Sequence, residues 1–166
     1  AIYAKTGQTG VLYQIRNVLY KERKQQMTDV RDVLCEGGDA LYRIDYHYVQ
    51  GTEMHGIIVG GNIRCFLKLS GTAYMPDLNG KILLLESRSG TVARMETYLS
   101  QLQQIGAFEQ IAGILLGTFT EMEAKQCMPD IVQLVKKYVR KTMPIAVTKQ
   151  IGHGTDAKGI VIGGEL

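Results

Sequence analysis

The chain has 166 residues, 45% apolar and 21% charged, a composition that suits one globular domain able to bury a core without disulfides or metals. Its net charge of +3 is small, and its three cysteines, Cys35, Cys65 and Cys127, are far apart with no Cys-x-x-Cys pair. A nucleic-acid partner, a disulfide framework and a metal site are therefore not expected, and the cysteines fit a reducing compartment. No run approaches the roughly 18 to 20 apolar residues of a membrane span and no signal peptide opens the chain, so no membrane partner is expected either.

In chain order, Ala1 to Lys5 reads as the last turns of a helix stopped by Thr6-Gly7, and Val11 to Tyr13 as a short extended piece. The dense cluster Lys21-Glu-Arg-Lys24 contains an acid and reads as a solvated helix face, opening a helix that runs through Met27, Val30, Val33 and Leu34 to Cys35 before Gly37-Gly38 ends it. From Ala40 to Val49, Tyr42, Ile44, Tyr46 and Tyr48 alternate with polar residues, the period of a half-buried strand. Met54 to Asn62 predicts a strand, a tight turn at Gly60-Gly61, and a short helix capped by Asn62. That glycine pair matches neither nucleotide-binding spacing, so close backbone packing is its first reading.

Ile82 to Leu85 is an uninterrupted apolar run, long enough for a strand buried on both faces, and it ends in Glu86. The polar turn Ser87-Arg88-Ser89-Gly90 follows, and then a helix from Thr91 to Ile105. Ile111 to Gly117 predicts a second buried strand and Pro129 a helix start through Val139. Pro144 to Val147 predicts a third strand, leading to Ile151-Gly-His-Gly154. Strand, helix, strand, helix, strand from 81 to 148 implies a parallel sheet, while the alternating Tyr42–Tyr48 strand and Ile160–Ile162 look like an antiparallel layer.

Parallel strands end on one edge, so Glu86, the loop Thr118–Glu121 and His153 are expected to crowd one rim, where ligands collect in α/β sheets. A carboxylate there can fix the tautomer of a histidine and stabilise its imidazolium. The plainer reading makes Glu86 a capping acid and His153 a loop residue. No serine has the strand-to-helix context of a nucleophile: Ser70 ends a helix, and Ser87 and Ser89 lie in the loop beside Glu86. His47 and His55 lack metal-ligand spacing.

Gly60-Gly-Asn62, Gly71-Thr-Ala-Tyr-Met-Pro-Asp77, Gly80-Lys-Ile-Leu-Leu-Leu-Glu86, Leu99-x-x-Leu-x-x-x-Gly106, Gly113-Ile-Leu-Leu-Gly-Thr-Phe-Thr120 and Gly152-His-Gly154 resemble, in order and spacing over about residues 54 to 164, the carboxyl-terminal domain of the LD-carboxypeptidases. These serine peptidases include murein tetrapeptide carboxypeptidases and microcin C immunity peptidases. The resemblance implies a three-layer β/β/α swivelling domain with a central parallel sheet and a second, antiparallel layer. It implies a Ser-Glu-His triad in which Glu86 and His153 are catalytic, with Gly60, Gly61 and Asn62 as substrate-binding candidates and no cofactor or metal. The family serine lies in a separate amino-terminal domain, so residues 1–25 read as a remnant of that domain and its linker, and 26–166 as the carboxyl-terminal domain. The stretch Gln8 to Gln26 departs from the family's usual interdomain pattern. The implied function is removal of a terminal D-amino acid from peptidoglycan peptides during cytoplasmic recycling, with antibiotic self-immunity or a non-catalytic binding module as alternatives. The expected partners are the amino-terminal domain, a murein peptide and a second copy of the chain in a homodimer.

Overall fold

The computed structural model describes residues 1–20 and 23–166. Lys21 and Glu22, half of the basic cluster, lie outside the described residues. The elements run α1 (Ile2–Thr6), β1 (Gly10–Leu12), α2 (Lys24–Arg31), β2 (His47–Gln50), β3 (Ile58–Asn62), α3 (Ile63–Leu67), β4 (Ile82–Ser87), α4 (Val92–Gln104), α5 (Ala107–Gln110), β5 (Gly113–Phe119), α6 (Thr120–Ala124), α7 (Ile131–Tyr138), β6 (Ile145–Val147) and β7 (Ile160–Ile162).

Five strands form the central sheet in the order β2-β6-β5-β4-β3, parallel from β6 to β3 with β2 antiparallel at the edge. A separate two-stranded antiparallel ribbon pairs β1 with β7. Period-two alternation divides the core between the two faces of the sheet. Val59, Leu83, Leu85, Ile114 and Leu116 pack with Met95, Leu99 and Leu102 of α4 and Leu134 and Val135 of α7. Ile58, Ile82, Leu84, Leu115 and Ala146 pack with Leu12, Ile160 and Ile162 of the ribbon. Ribbon, sheet and helices are thus the three layers, β/β/α. All six β4 residues are buried, and each buried leucine contributes roughly 1.5–3 kcal/mol relative to exposure. The helices are held by local chemistry as well. Thr91 caps α4 by accepting from Arg94 N, and Asp130 and Gln133 form a reciprocal capping box on α7.

Several expectations need correction. The alternating stretch is a strand only from His47 to Gln50; Ala40–Tyr42 is a single 3₁₀ turn closed by Tyr42 N donating to Asp39 O at 2.8 Å, with Leu41 O accepting from Gly159 N. That strand joins the central sheet rather than the antiparallel layer, where the partner of β7 is β1. Gly60 and Gly61 lie within β3 and not in a turn. A side chain at Gly60, whose φ is +116°, would overlap the Leu84 carbonyl, so the pair permits a close strand approach. Pro129 precedes the α7 cap instead of sitting in its first turn. Beyond β5 there is no Thr118–Glu121 loop, since the strand continues to Phe119 and α6 begins at Thr120. Large exposed apolar side chains include Val11, Ile15, Leu19 and Leu34, and Tyr46, just before β2, is 40% exposed.

Candidate active site

Glu86 follows the apolar run of β4 as its penultimate residue, and its side chain is almost fully buried. His153 follows β6, in a loop tied to the end of β5 at two points. Thr118 N donates to Ile151 O at 2.8 Å, and His153 N donates to Thr118 Oγ1 at 3.3 Å. Gly152 makes this clamp possible: its φ is +133°, and a side chain there would collide with Thr118 Oγ1. The clamp brings the imidazole to the carboxylate, and His153 Nδ1 donates to Glu86 Oε2 at 2.7 Å. With Nδ1 so occupied, Nε2 is the basic nitrogen, and among the described residues it has no partner. A buried carboxylate is costly unless paired, and the imidazole supplies that partner.

The pair opens on a cavity of about 350 Å³ lined also by Asn62, Arg64, Ser87, Arg88, Ser89 and Lys158. Ser87 Oγ donates to Ser89 O at 2.9 Å, and among the described residues His153 bonds Thr118 and Glu86 but neither loop serine. The turn they form is braced by α6: Glu121 N donates to Arg88 O at 3.1 Å, and Glu121 Oε2 accepts from Gly90 N at 2.6 Å. Lys125 bonds the other Glu121 oxygen at 2.6 Å and, together with the Gly90 N–H, holds this carboxyl below its usual range.

The sheet edge therefore brings Glu86, His153, Thr118 and Glu121 onto one rim. Of the three substrate-binding candidates, Asn62 lines the cavity while its Oδ1 caps α3 on Cys65 N at 3.3 Å; Gly60 and Gly61 line a different hollow, with Tyr3 and Pro76. Ser70 is on neither wall. Among the described residues no group of three or more His, Cys, Asp or Glu side chains is placed to hold a metal, and no helix is long and apolar enough to cross a membrane. Sequence reading missed Arg64, Arg88 and Asn17. Asn17 is buried and donates from Nδ2 to Gly154 O at 3.3 Å, from a segment 137 residues away that no local pattern connects to the histidine loop.

A buried acid bonded to a histidine beside a ligand-sized cavity at the rim of a β/β/α sheet marks an α/β domain, and the pairing is of a kind that can move a proton. Residues 55–166 match the family described as the LD-carboxypeptidase C-terminal domain, and the chain belongs to that family. A Treponema pallidum protein provisionally named a carboxypeptidase is 33% identical over 126 residues, which is 73% of this chain and 36% of that protein. The microcin C7 self-immunity protein MccF of Escherichia coli is 30% identical over 78 residues, 46% of this chain and 23% of that protein. In solved structures, MccF in its wild-type apo state shares the fold at TM-score 0.78 and 16% identity, covering 99% of this chain and 59% of the other. An MccF-like protein from Bacillus anthracis reaches TM-score 0.63 at 31% identity, covering 72% and 38%. The chain thus spans about a third or less of the length of these curated relatives.

Proposed function

We propose that Glu86 and His153 are the acid and base of a Ser-Glu-His triad whose serine comes from a region outside these 166 residues, in an enzyme that removes a terminal D-amino acid from an L–D peptide of peptidoglycan. The observation that carries this reading is the 2.7 Å bond from His153 Nδ1 to Glu86, which leaves Nε2 free beside the cavity. In the acylation step Nε2 takes the serine proton as the oxygen attacks the peptide carbonyl, and Glu86 stabilises the imidazolium that forms. The same proton then goes to the departing amine of the D-amino acid. Water, deprotonated by Nε2, hydrolyses the acyl ester and restores the serine. Relatives named carboxypeptidases support the reaction class. The proposal extends to a cytoplasmic recycling role, which the family resemblance supports, and the exposed Ile15, Leu19 and Leu34 side chains support self-association, which sedimentation would test.

A second reading, self-immunity through cleavage of a peptide-nucleotide antibiotic, is favoured by the 31% identity to an MccF-like protein. One experiment addresses both. Release of D-alanine from a murein tetrapeptide, and of nucleotide from a peptide-nucleotide conjugate, is measured for the chain alone and for the chain joined to the family's amino-terminal region. We expect release only by the joined protein. Comparable turnover by the chain alone would return Ser87 or Ser89 to consideration, and no turnover of either substrate by the joined protein would overturn the hydrolase reading.

A further inference from the structure

The cavity beside His153 has an uneven charge that the proton-transfer pair does not use. Among the described residues its walls carry Arg64, Arg88 and Lys158 against a single carboxylate, Glu86, which is already bonded to His153. Lys158 is also engaged, donating to Ala40 O at 2.9 Å and lying 3.5 Å from Asp29 Oδ2. Among the described residues the other two cations have no carboxylate partner. Both are exposed, but their backbones are not loose. Arg64 lies in α3, which Asn62 caps. Arg88 is at the apex of a turn fixed at three points: Ser87 Oγ to Ser89 O, Glu121 N to Arg88 O, and Gly90 N to Glu121 Oε2. Arg88 is thus presented by a turn braced from a neighbouring helix.

The geometry points to Arg88 and Arg64 as an anion subsite that recognises a compact oxyanion on the substrate. A guanidinium offers a planar fork of N–H donors that matches the two oxygens of a carboxylate or the face of a phosphate. Arg64, Arg88 and Lys158 outnumber the Glu86 carboxylate on the described walls, so an incoming anion meets net positive charge in the cavity that His153 lines. If the hydrolase reading above holds, on which the identity of the anion rests, the free carboxylate of the terminal residue is the group so placed. The subsite would then distinguish a chain end from an internal bond. The phosphate of a peptide-nucleotide conjugate has the same chemistry, and the test separates the two sources.

The test measures binding, so it needs no turnover and no serine. The chain is titrated with N-acetyl-L-lysyl-D-alanine, with its C-terminal amide, with AMP and with adenosine, and followed by the amide signals of Ser87 to Gly90 and the arginine side-chain N–H signals. We expect the acid to bind at least about tenfold more tightly than the amide, the loss expected of one charge-assisted hydrogen-bond pair. The preference should weaken with added salt, as it must at an exposed site, and disappear in the double variant R64Q/R88Q, while R88K keeps part of it. AMP favoured over adenosine, with the acid and amide alike, would assign the site to phosphate. No preference in either pair, a preference indifferent to salt, or one that survives in folded R64Q/R88Q would overturn the subsite. The outcome is separable from that of the hydrolase reading: an acid preference without hydrolysis leaves the subsite standing, and His153-dependent hydrolysis without any anion preference removes the subsite alone.

Discussion

Glu86 and His153 are separated by 67 positions in the chain and by 2.7 Å between Oε2 and Nδ1. The acid comes from near the carboxyl end of one strand and the histidine from a loop after another, and the two meet only because β4, β5 and β6 run parallel and end on one rim. If the pair is the acid and base of a triad, its members matter unequally. In the serine-containing protein, His153→Ala removes the base and should lower kcat at least about a hundredfold. Glu86→Gln keeps the shape while weakening orientation and charge stabilisation, so its loss should not exceed that of the histidine. Steady-state rates on an L–D tetrapeptide check the order.

Thr118 has a positioning role that can be read without activity. Thr118→Val preserves shape but removes the acceptor for His153 N, leaving that N–H unpaired at a cost of about 1–3 kcal/mol. We expect faster amide hydrogen exchange at His153 in this variant and recovery in Thr118→Ser, which restores the hydroxyl. Unchanged exchange in Thr118→Val would mean the 3.3 Å contact does not hold the loop.

The acid sensitivity of the rim follows from Glu121. Its bonds from Lys125 and Gly90 N–H, with the charge of Arg94 nearby, depress the folded-state pKa. A depressed carboxyl stabilises the fold above its unfolded value, about 4.3, and loses that contribution as pH falls through the lower folded value. Glu121→Gln can still accept from Gly90, so it removes the charge and keeps the brace. The urea midpoints of the two proteins should differ near neutral pH and converge in acid; a gap that stays constant with pH would contradict the assignment.

The buried strand makes a stability prediction on both of its faces. Leu84 packs toward the ribbon and Leu85 toward the helices, both with no exposed surface. Replacing either with alanine should cost about 2–5 kcal/mol by denaturant unfolding, because packing on both sides prevents the cavity from collapsing.

What was legible in the sequence was what burial enforces. The run Ile82–Leu85 had to be a strand covered on both faces, and the spacing of Met95, Leu99 and Leu102 had to be a helix stripe against it; Glu86 was conspicuous as the carboxylate that ended the run. The tyrosine stretch misled because its alternation is only weakly coupled to burial: Ile44 is half-buried but Tyr46 is exposed, so tertiary contacts rather than period decided its course. β1 was a three-residue piece with no strong pattern, and its pairing with β7, some 150 positions on, left no local mark. The same holds for Glu121 bracing Arg88 and for Asn17 on Gly154. These are contacts between distant segments, made by ordinary polar residues whose partners only the fold supplies.

The measurement that bears most directly on the proton-transfer account is D-alanine release from a murein tetrapeptide by the joined, serine-containing protein, wild type against His153→Ala, with both shown to be folded. The account requires release by the wild type and a loss of at least about a hundredfold in the variant. Full release by His153→Ala would contradict it.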